Sequence, residues 1–204
     1  MHDSRIEIRI GGTGGQGLIL SAKMLADALS LMGKHVAQSQ TYEPTSRGGF
    51  CNSDLVIADG EVDFPLASAL DCLVLLDRLA VKPSGPLLKA GALVIADQRL
   101  CPQLPEGSYR AYHLPLSRTA IELGSERVAN IVALGALAAL AGICERSVLE
   151  QAVRADTPKS FLDLNLDALA AGYRLGEQAV LEPTHQAAAT ALLREAITET
   201  ARRG

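Results

Sequence analysis

RIEIRI (residues 5–10), GGTGGQG (11–17) and LILSAKMLADALSLM (18–32) follow one another without interruption near the start of the chain. The first segment alternates polar and apolar residues and predicts a strand, and the third has the apolar spacing of a helix. Gly33 stands where a glycine ends such a helix, and a second strand is predicted over 34–40. This order of strand, glycine-rich turn, helix and strand is typical of an α/β protein with parallel strands.

The rest of the chain continues the pattern. Further strands are predicted over 50–58, 72–77, 93–97 and 109–114, with a short returning strand over 61–64. From residue 117 onward the apolar spacing predicts helices, over 127–141, 145–155, 161–180 and 184–202. We therefore expect a three-layer, Rossmann-like α/β fold with a mostly parallel sheet and a helical C-terminal region. The domain is expected to span 1–181, with a helical extension over 182–204.

Composition excludes several classes of function. The 204 residues carry a net charge of −4 and only 3% aromatic side chains, so a nucleic-acid-binding surface is not expected. Apolar runs are too short to cross a bilayer, and residues 1–5 lead directly into a strand, so we expect a cytoplasmic protein without a signal peptide or membrane contact. The four cysteines form no CxxC pair, so free thiols are expected and no metal site is predicted.

The segment Gly12-Thr13-Gly14-Gly15-Gln16-Gly17 matches GxGxxG between a predicted strand and a predicted helix. Backbone N–H groups at such a turn can hold a phosphate or an acidic group of a partner chain. Alternatively, the glycines serve only to make a tight turn. A plain NAD site is disfavoured, because the second strand is predicted to end at Gln40 without the acid that holds the ribose.

A second loop, Tyr42-Glu43-Pro44-Thr45-Ser46-Arg47-Gly48-Gly49, follows the second strand. Since the carboxyl ends of parallel strands meet at one edge of a sheet, the two loops are expected to lie side by side. The Arg47 guanidinium suits a carboxylate or a phosphate, because its planar fork can bind two oxygens at once. A surface arginine in a local ion pair is the alternative.

These two loops resemble the gamma subunit of 2-oxoacid:ferredoxin oxidoreductases of the 2-oxoglutarate or pyruvate type. Residues 71–76, 130–136 and 165–173 extend the similarity, which covers about residues 6–173. Tyr42-Glu43-Pro44 is closer to the 2-oxoglutarate or general 2-oxoacid type than to the small subunit of indolepyruvate oxidoreductase. A stand-alone nucleotide-binding module of Rossmann type is the alternative from another class.

The resemblance implies a subunit of a complex that oxidatively decarboxylates a 2-oxoacid to an acyl-CoA and reduces ferredoxin. It implies alpha and beta partner subunits, with a ferredoxin-like delta subunit as an optional further chain, and thiamine diphosphate, Mg²⁺ and iron–sulfur clusters on those partners. Coenzyme A is the expected substrate on the side of this chain. The chain has neither a Gly-Asp-Gly…Asn-Asn thiamine signature nor a CxxCxxC run, so no cofactor and no catalytic residue is expected on it alone.

The same resemblance places a cofactor, substrate or partner interface at a defined set of residues: Gly12, Thr13, Gly14, Gly15, Gln16, Gly17, Tyr42, Glu43, Ser46, Arg47, Gly48, Gly49 and Asn130. For Asn130, which begins an apolar helix, capping of nearby backbone groups is the alternative to a ligand contact. Asp77 and Asp97 end predicted strands at the same edge, where they fit either a ligand site or helix capping. His113 fits a structural role better than that of a base.

Overall fold

The computed structural model describes residues 5–43, 48–62 and 64–181. Six strands are present in these ranges: β1 (Ile6–Thr13), β2 (His35–Tyr42), β3 (Phe50–Ala58), β4 (Leu70–Leu75), β5 (Leu88–Asp97) and β6 (Arg110–Leu114). The α-helices are α1 (Leu18–Leu31), the short α2 (Val81–Ser84), α3 (Leu116–Glu122), α4 (Ala129–Ala141), α5 (Arg146–Asp156) and α6 (Leu162–Leu181). The predicted extension over 182–204 lies outside the described residues.

The strands form one sheet in the order β2-β3-β1-β4-β5-β6. Strands β1, β4, β5 and β6 pair in parallel, whereas β3 runs antiparallel to both β1 and β2. The prediction of an α/β fold with a mostly parallel sheet is confirmed. Because β3 begins at the edge where β1 and β2 end, Thr13 lies opposite Phe50, and Tyr42 lies opposite Cys51.

The predicted returning strand over 61–64 is wrong, since residues 61, 62 and 64 are not in a strand. Strand β3 is already paired on one side with β1 and on the other with β2, so it has no free edge for a returning strand. The chain instead runs towards β4. There the backbone N–H groups of Ser68 and Ala69 donate to a carboxylate oxygen of Glu7, at 2.5 and 2.7 Å.

Each face of the sheet carries its own apolar core. The larger core lies between the sheet and α1, α3, α4, α5 and α6, and it includes Ile8, Ile10 and Ile95. The smaller core lies on the opposite face under short helical segments, and it includes Leu73 and Leu75. The apolar run of β4 therefore faces a core on both sides, as its continuous hydrophobicity predicts.

Helices α4 and α6 pack with their backbones close together. A Cβ atom placed on Gly172 would lie 2.0 Å from the carbonyl oxygen of Val132, and one on Gly135 would lie 2.3 Å from that of Leu169. Only glycine allows this approach, because any side chain would overlap the neighbouring backbone. The prediction of a C-terminal helical region is confirmed. Within the described ranges, no helix combines the length and apolar character needed to span a membrane.

Candidate functional site

The glycine-rich turn is shorter than predicted, because β1 continues through Gly12 and Thr13 in register with β3. The turn itself is Gly14–Gly17. Gly15 and Gly17 have φ values of 96° and 72°, which residues with a side chain rarely adopt. A tight turn is thus a sufficient reason for these two glycines. Gly14 differs, since its φ is not positive and a Cβ atom there would meet nothing within 4 Å.

The Gln16 side chain braces this turn instead of pointing away from it. Its Oε1 accepts a hydrogen bond from the N–H of Thr13 at 2.8 Å, and its Nε2 donates to the carbonyl of Leu76 at 3.0 Å. A Cβ atom on Gly12 would lie only 2.2 Å from Gln16 Oε1. Gly12 is therefore required so that Gln16 can fold over β1 and tie the turn to the end of β4.

A backbone hydrogen bond joins the second loop to the first, since the N–H of Gly14 donates to the carbonyl of Gly49 at 3.1 Å. The second loop is itself closed at its base, where the N–H of Glu43 donates to the carbonyl of Phe50 at 2.9 Å. The predicted proximity of the two loops is confirmed at these residues. The cause is the antiparallel pairing of β3 with both neighbours, and not adjacency of β1 and β2.

The predicted residues of the second loop have different surroundings. Tyr42 is 65% exposed, and Gly48 has a φ of 71°. Glu43 is exposed, and its carboxylate accepts from the N–H of Phe50 at 3.4 Å. Pro44–Arg47 lie outside the described residues, so the roles proposed for Ser46 and Arg47 stay predictions.

Asn130 links helix α4 to the glycine turn. Its Nδ2 donates to the carbonyl of Gly17 at 3.0 Å, across 113 residues of sequence. A Cβ atom on Gly17 would lie 2.6 Å from that nitrogen, so the contact also depends on glycine. Asn130 therefore does not cap its own helix, because its Nδ2 contacts the backbone of the glycine turn. It positions the turn from which α1 starts. Its contact with a ligand or partner stays a prediction.

Two cavities flank the turn at Gly15. One, of about 210 Å³, lies between the turn, the residues that follow β4 and β5, and Ser117. The other, of about 380 Å³, lies between the turn, the start of α4 and the segment that joins α5 to α6. Gly15 and Arg127 line both cavities. Arg127 was missed as a site residue because it was assigned only to the start of a buried helix.

The two aspartates at the strand ends act as backbone caps. An oxygen of Asp77 accepts from the N–H of Leu79 at 2.9 Å. The fully buried Asp97 accepts from the N–H groups of Arg99 and Leu100 at 3.0 and 2.8 Å, and also from the N–H and hydroxyl of Ser117. The capping interpretation therefore accounts for both residues.

The remaining polar and thiol candidates are structural. His113 Nε2 lies 3.1 Å from the carbonyl oxygen of Cys101. All four cysteines are free thiols, as predicted, and all four are buried. Burial raises the pKa of both Cys72 and Cys101 to about 12, so both thiols are protonated at neutral pH.

Known proteins match both the sequence and this geometry. The family described as pyruvate ferredoxin/flavodoxin oxidoreductase matches residues 7–175. The 2-oxoglutarate synthase subunit KorC of Methanocaldococcus jannaschii is 37% identical over 178 residues, which cover 85% of this chain and 95% of the relative. The indolepyruvate oxidoreductase subunit IorB of Methanothermobacter thermautotrophicus is 26% identical, over 81% of this chain and 95% of its own.

Solved structures share the fold. The gamma subunit of keto/oxoacid ferredoxin oxidoreductase from Geobacter sulfurreducens superposes with a TM-score of 0.78 and 39% identity, over 85% of this chain and 97% of that one. The 2-oxoglutarate:ferredoxin oxidoreductase of Magnetococcus marinus, solved with 2-oxoglutarate, coenzyme A and succinyl-CoA bound, gives 0.76 and 26% identity over 85% of this chain and 31% of that one. The resemblance carried by the two loops is thus confirmed, and the chain belongs to the pyruvate ferredoxin/flavodoxin oxidoreductase family.

Proposed function

We propose that this chain is the gamma-type subunit of a thiamine-diphosphate-dependent 2-oxoacid:ferredoxin oxidoreductase that converts 2-oxoglutarate, coenzyme A and oxidised ferredoxin to succinyl-CoA, carbon dioxide and reduced ferredoxin. The substrate is inferred from relatives named 2-oxoglutarate synthase. This chain aligns with nearly the whole length of those relatives, at higher identity than with the indolepyruvate relative. The cytoplasmic location expected from the sequence is part of the same proposal.

The observation that carries the proposal is the hydrogen bond between Gly14 and Gly49. It joins the glycine turn and the second loop at the edge where β1 and β2 end. On this surface, Tyr42 and Glu43 are exposed, and a side chain on Gly14 would point into open space. Such a surface leaves room for a partner or an anionic substrate beside Tyr42 and Glu43.

The division of labour in the complex follows from what the residues can do. We assign thiamine diphosphate, Mg²⁺ and the iron–sulfur clusters to the alpha and beta chains and to a ferredoxin-like delta chain where one is present. The two loops of this chain would then orient coenzyme A, or the partner segment that binds it. Arg47 would supply positive charge to the phosphates of the coenzyme.

A stand-alone nucleotide-binding module of Rossmann type is less well supported. The sequence argues against it because no acid is predicted at the end of the second strand, whereas the structure argues against it through the order of the strands. Strand β2 continues through Tyr42, so Glu43 does follow the second strand directly. However, β3 separates β2 from β1, which places the two parallel strands about 10 Å apart instead of adjacent. The acid at the end of β2 is therefore too far from the glycine turn to hold the ribose of a dinucleotide bound there.

Co-purification from the native source tests the proposal. We expect the chain to elute with larger chains that carry thiamine diphosphate and iron–sulfur clusters, and the complex to reduce ferredoxin with 2-oxoglutarate and coenzyme A. The purified chain alone should be inactive. Turnover by the isolated chain, elution without partners, or a preference of the complex for indolepyruvate would each contradict it.

A further inference from the structure

Strand β2 forms a long, regular edge of the sheet. Among the described residues it pairs only with β3, and its register with β3 is continuous over all eight residues. The strand contains no proline and no Asp, Glu, Lys or Arg, the residues that commonly keep an edge from pairing with another chain. The other edge strand, β6, has only five residues and begins with the charged Arg110. The edge of β2 is therefore suited to accept a further strand.

Half of the backbone groups of β2 point away from the sheet. The N–H of Glu43 donates to the carbonyl of Phe50, and in an antiparallel ladder residues that bond to the partner strand alternate with residues that do not. Counting back from Glu43, the odd-numbered residues of β2 bond to β3. The N–H and C=O groups of the even-numbered residues face outward: Val36, Gln38, Gln40 and Tyr42. In the part of the chain that the structure describes, no other strand meets these groups.

We propose that two copies of this chain join through β2, as antiparallel strands related by a two-fold axis at Ser39. A two-fold interface uses the same surface on both copies, so the outward-facing groups of one strand meet those of the other. The residues that face each other are His35 with Glu43, Val36 with Tyr42, Ala37 with Thr41, and Gln38 with Gln40. The two sheets then form one continuous sheet.

The neighbouring registers leave backbone groups unpaired. An axis one residue earlier opposes Tyr42 to Lys34, whose N–H already donates to the carbonyl of Leu29 at 3.0 Å. An axis one residue later opposes Val36 to Pro44, which has no N–H to donate. The proposed axis avoids both losses, so it is the register in which every outward-facing group of β2 finds a partner.

The side chains that face each other in this register are compatible. At both ends of the interface His35 lies opposite Glu43, so an imidazole N–H meets a carboxylate. Val36 opposite Tyr42 is a pair of β-branched and aromatic side chains, which stabilises neighbouring strands. No pair opposes two like charges, which would be destabilising. Charge and shape therefore favour a second copy as the occupant of this edge.

Helix α1 adds apolar surface beside the same edge. The carbonyl of Ile19 accepts from Gln38 Nε2 at 3.1 Å, and Ile19 is 40% exposed. Pairing through β2 brings this surface towards the second copy, where burial of apolar area stabilises association. Such a dimer goes beyond the proposed function. It does not involve the contact of Gly14 with Gly49, which lies between β1 and β3.

A cysteine at the axis tests the register. In the dimer Ser39 faces its own copy in a pair without hydrogen bonds, where Cα atoms lie about 4.5 Å apart, within reach of a disulfide. Ser39→Cys should therefore cross-link two full chains on mild oxidation. Ala37→Cys is the matched control on the same face of β2, because it faces Thr41 and lies about 13 Å from its own copy. The four natural cysteines are buried. No cross-link from Ser39→Cys, or equal cross-linking of both variants, would overturn the proposal.

Sedimentation of the full chain measures the dimer directly, and we expect wild-type dimers at high micromolar concentration. Gln40→Pro removes an outward-facing N–H and no bond to β3, so it should weaken dimerisation at least about tenfold. Unchanged dimerisation of this variant, with the fold intact by circular dichroism, would refute the assigned edge. A monomeric wild-type chain would also refute it, and protection of Ser39→Cys from alkylation in the complex would then assign the edge to a partner chain.

A charge exchange tests the ends of the interface. His35→Glu opposes two carboxylates at both ends, so we expect it to weaken dimerisation about fivefold, and Glu43→Lys in the same chain should restore it. Gln178→Glu, which adds the same charge at an exposed position on α6, is the control and should have no effect. Equal dimerisation of the His35→Glu and control chains would contradict the pairing of His35 with Glu43. Turnover of the complex is measured separately, so failure of the dimer does not imply failure of the proposed function.

Discussion

Arg9 and Asp54 form a two-pronged ion pair between β1 and β3, with Nε–Oδ1 and Nη2–Oδ2 distances of 2.8 and 2.7 Å. Both side chains are less than one tenth exposed, and Asn52 Nδ2 donates to the same Oδ1 at 2.7 Å. The pair lies on the face of the sheet away from the larger core. The ion pair holds β3 against β1. Because the second loop leads directly into β3, the pair also helps to keep that loop beside the glycine turn.

Replacing one member of this pair should be strongly destabilising. Arg9→Leu leaves the Asp54 carboxylate buried without its countercharge, so we expect the free energy of unfolding to fall by about 3–5 kcal/mol. The double variant with Asp54→Leu should recover part of that loss, because no charge is then left buried. Denaturant titration of the variants measures both effects, and equal stability of the wild-type and Arg9→Leu chains would contradict the prediction.

Two glycines of the turn should respond in opposite ways to alanine. Gly12→Ala forces Gln16 off its contacts with Thr13 and Leu76, so we expect a loss of about 1–3 kcal/mol of stability. Gly14→Ala meets open space and should change stability by less than about 0.5 kcal/mol. Thermal or chemical unfolding checks both, and a Gly14→Ala chain as unstable as Gly12→Ala would show that the brace is not the cause.

Gly172→Ala tests the close packing of α4 on α6. Alanine normally stabilises an exposed helix by about 1 kcal/mol relative to glycine. Here its Cβ atom would lie 2.0 Å from the carbonyl oxygen of Val132, so the helices must separate. We expect a net loss of about 1–3 kcal/mol in the free energy of unfolding, and any gain in stability would refute the assigned packing.

Glu7 should make stability depend on acid pH. Burial disfavours its charged form, but the N–H groups of Ala69 and Ser68 and the Arg5 guanidinium outweigh burial and lower the pKa of Glu7 below 4.5. Its contribution is therefore complete above pH 4.5 and is lost as the pH falls through the lowered pKa. Glu7→Gln should flatten the pH dependence of unfolding below about pH 5, and an unchanged slope would contradict this.

Arg47→Ala tests the second loop in the assembled enzyme. Loss of the guanidinium should lower acyl-CoA formation or the yield of the complex, while the isolated subunit keeps its stability. Arg118→Ala is the matched control, because that arginine is exposed and pairs with Glu122 on its own helix. Normal turnover of an intact complex, or unfolding of the isolated variant, would show that the role assigned to Arg47 is wrong.

Local patterns predict the elements of this fold well, and long-range pairing poorly. The apolar sequence of residues 50–58 gives the bounds of β3, but it does not reveal that the strand inserts antiparallel between β1 and β2. The position and direction of a strand in a sheet depend on which other strands have a free edge. That is a property of the whole sheet and not of the local sequence. The same limit explains the wrong prediction of a returning strand over 61–64.

The candidate site shows the same contrast. The glycine turn and the start of the second loop follow from short motifs, and both lie at the predicted edge of the sheet, although the turn is shorter than predicted. The contact between Asn130 and Gly17 spans 113 residues, and no local pattern encodes it. Arg127, three residues before Asn130, could have been noticed as a cation at the entry of an apolar helix, since such a charge needs solvent or an anion.

Because β2 and β3 are adjacent antiparallel strands, residues 43–49 are the connection of a β-hairpin whose two ends are fixed by the pairing of Tyr42 with Cys51. Doubling the length of such a connection raises the free energy of loop closure by only about 0.6 kcal/mol. Insertions and deletions at this position can therefore accumulate while the sheet keeps its register. A change in the length of this hairpin connection therefore need not alter the domain that carries it.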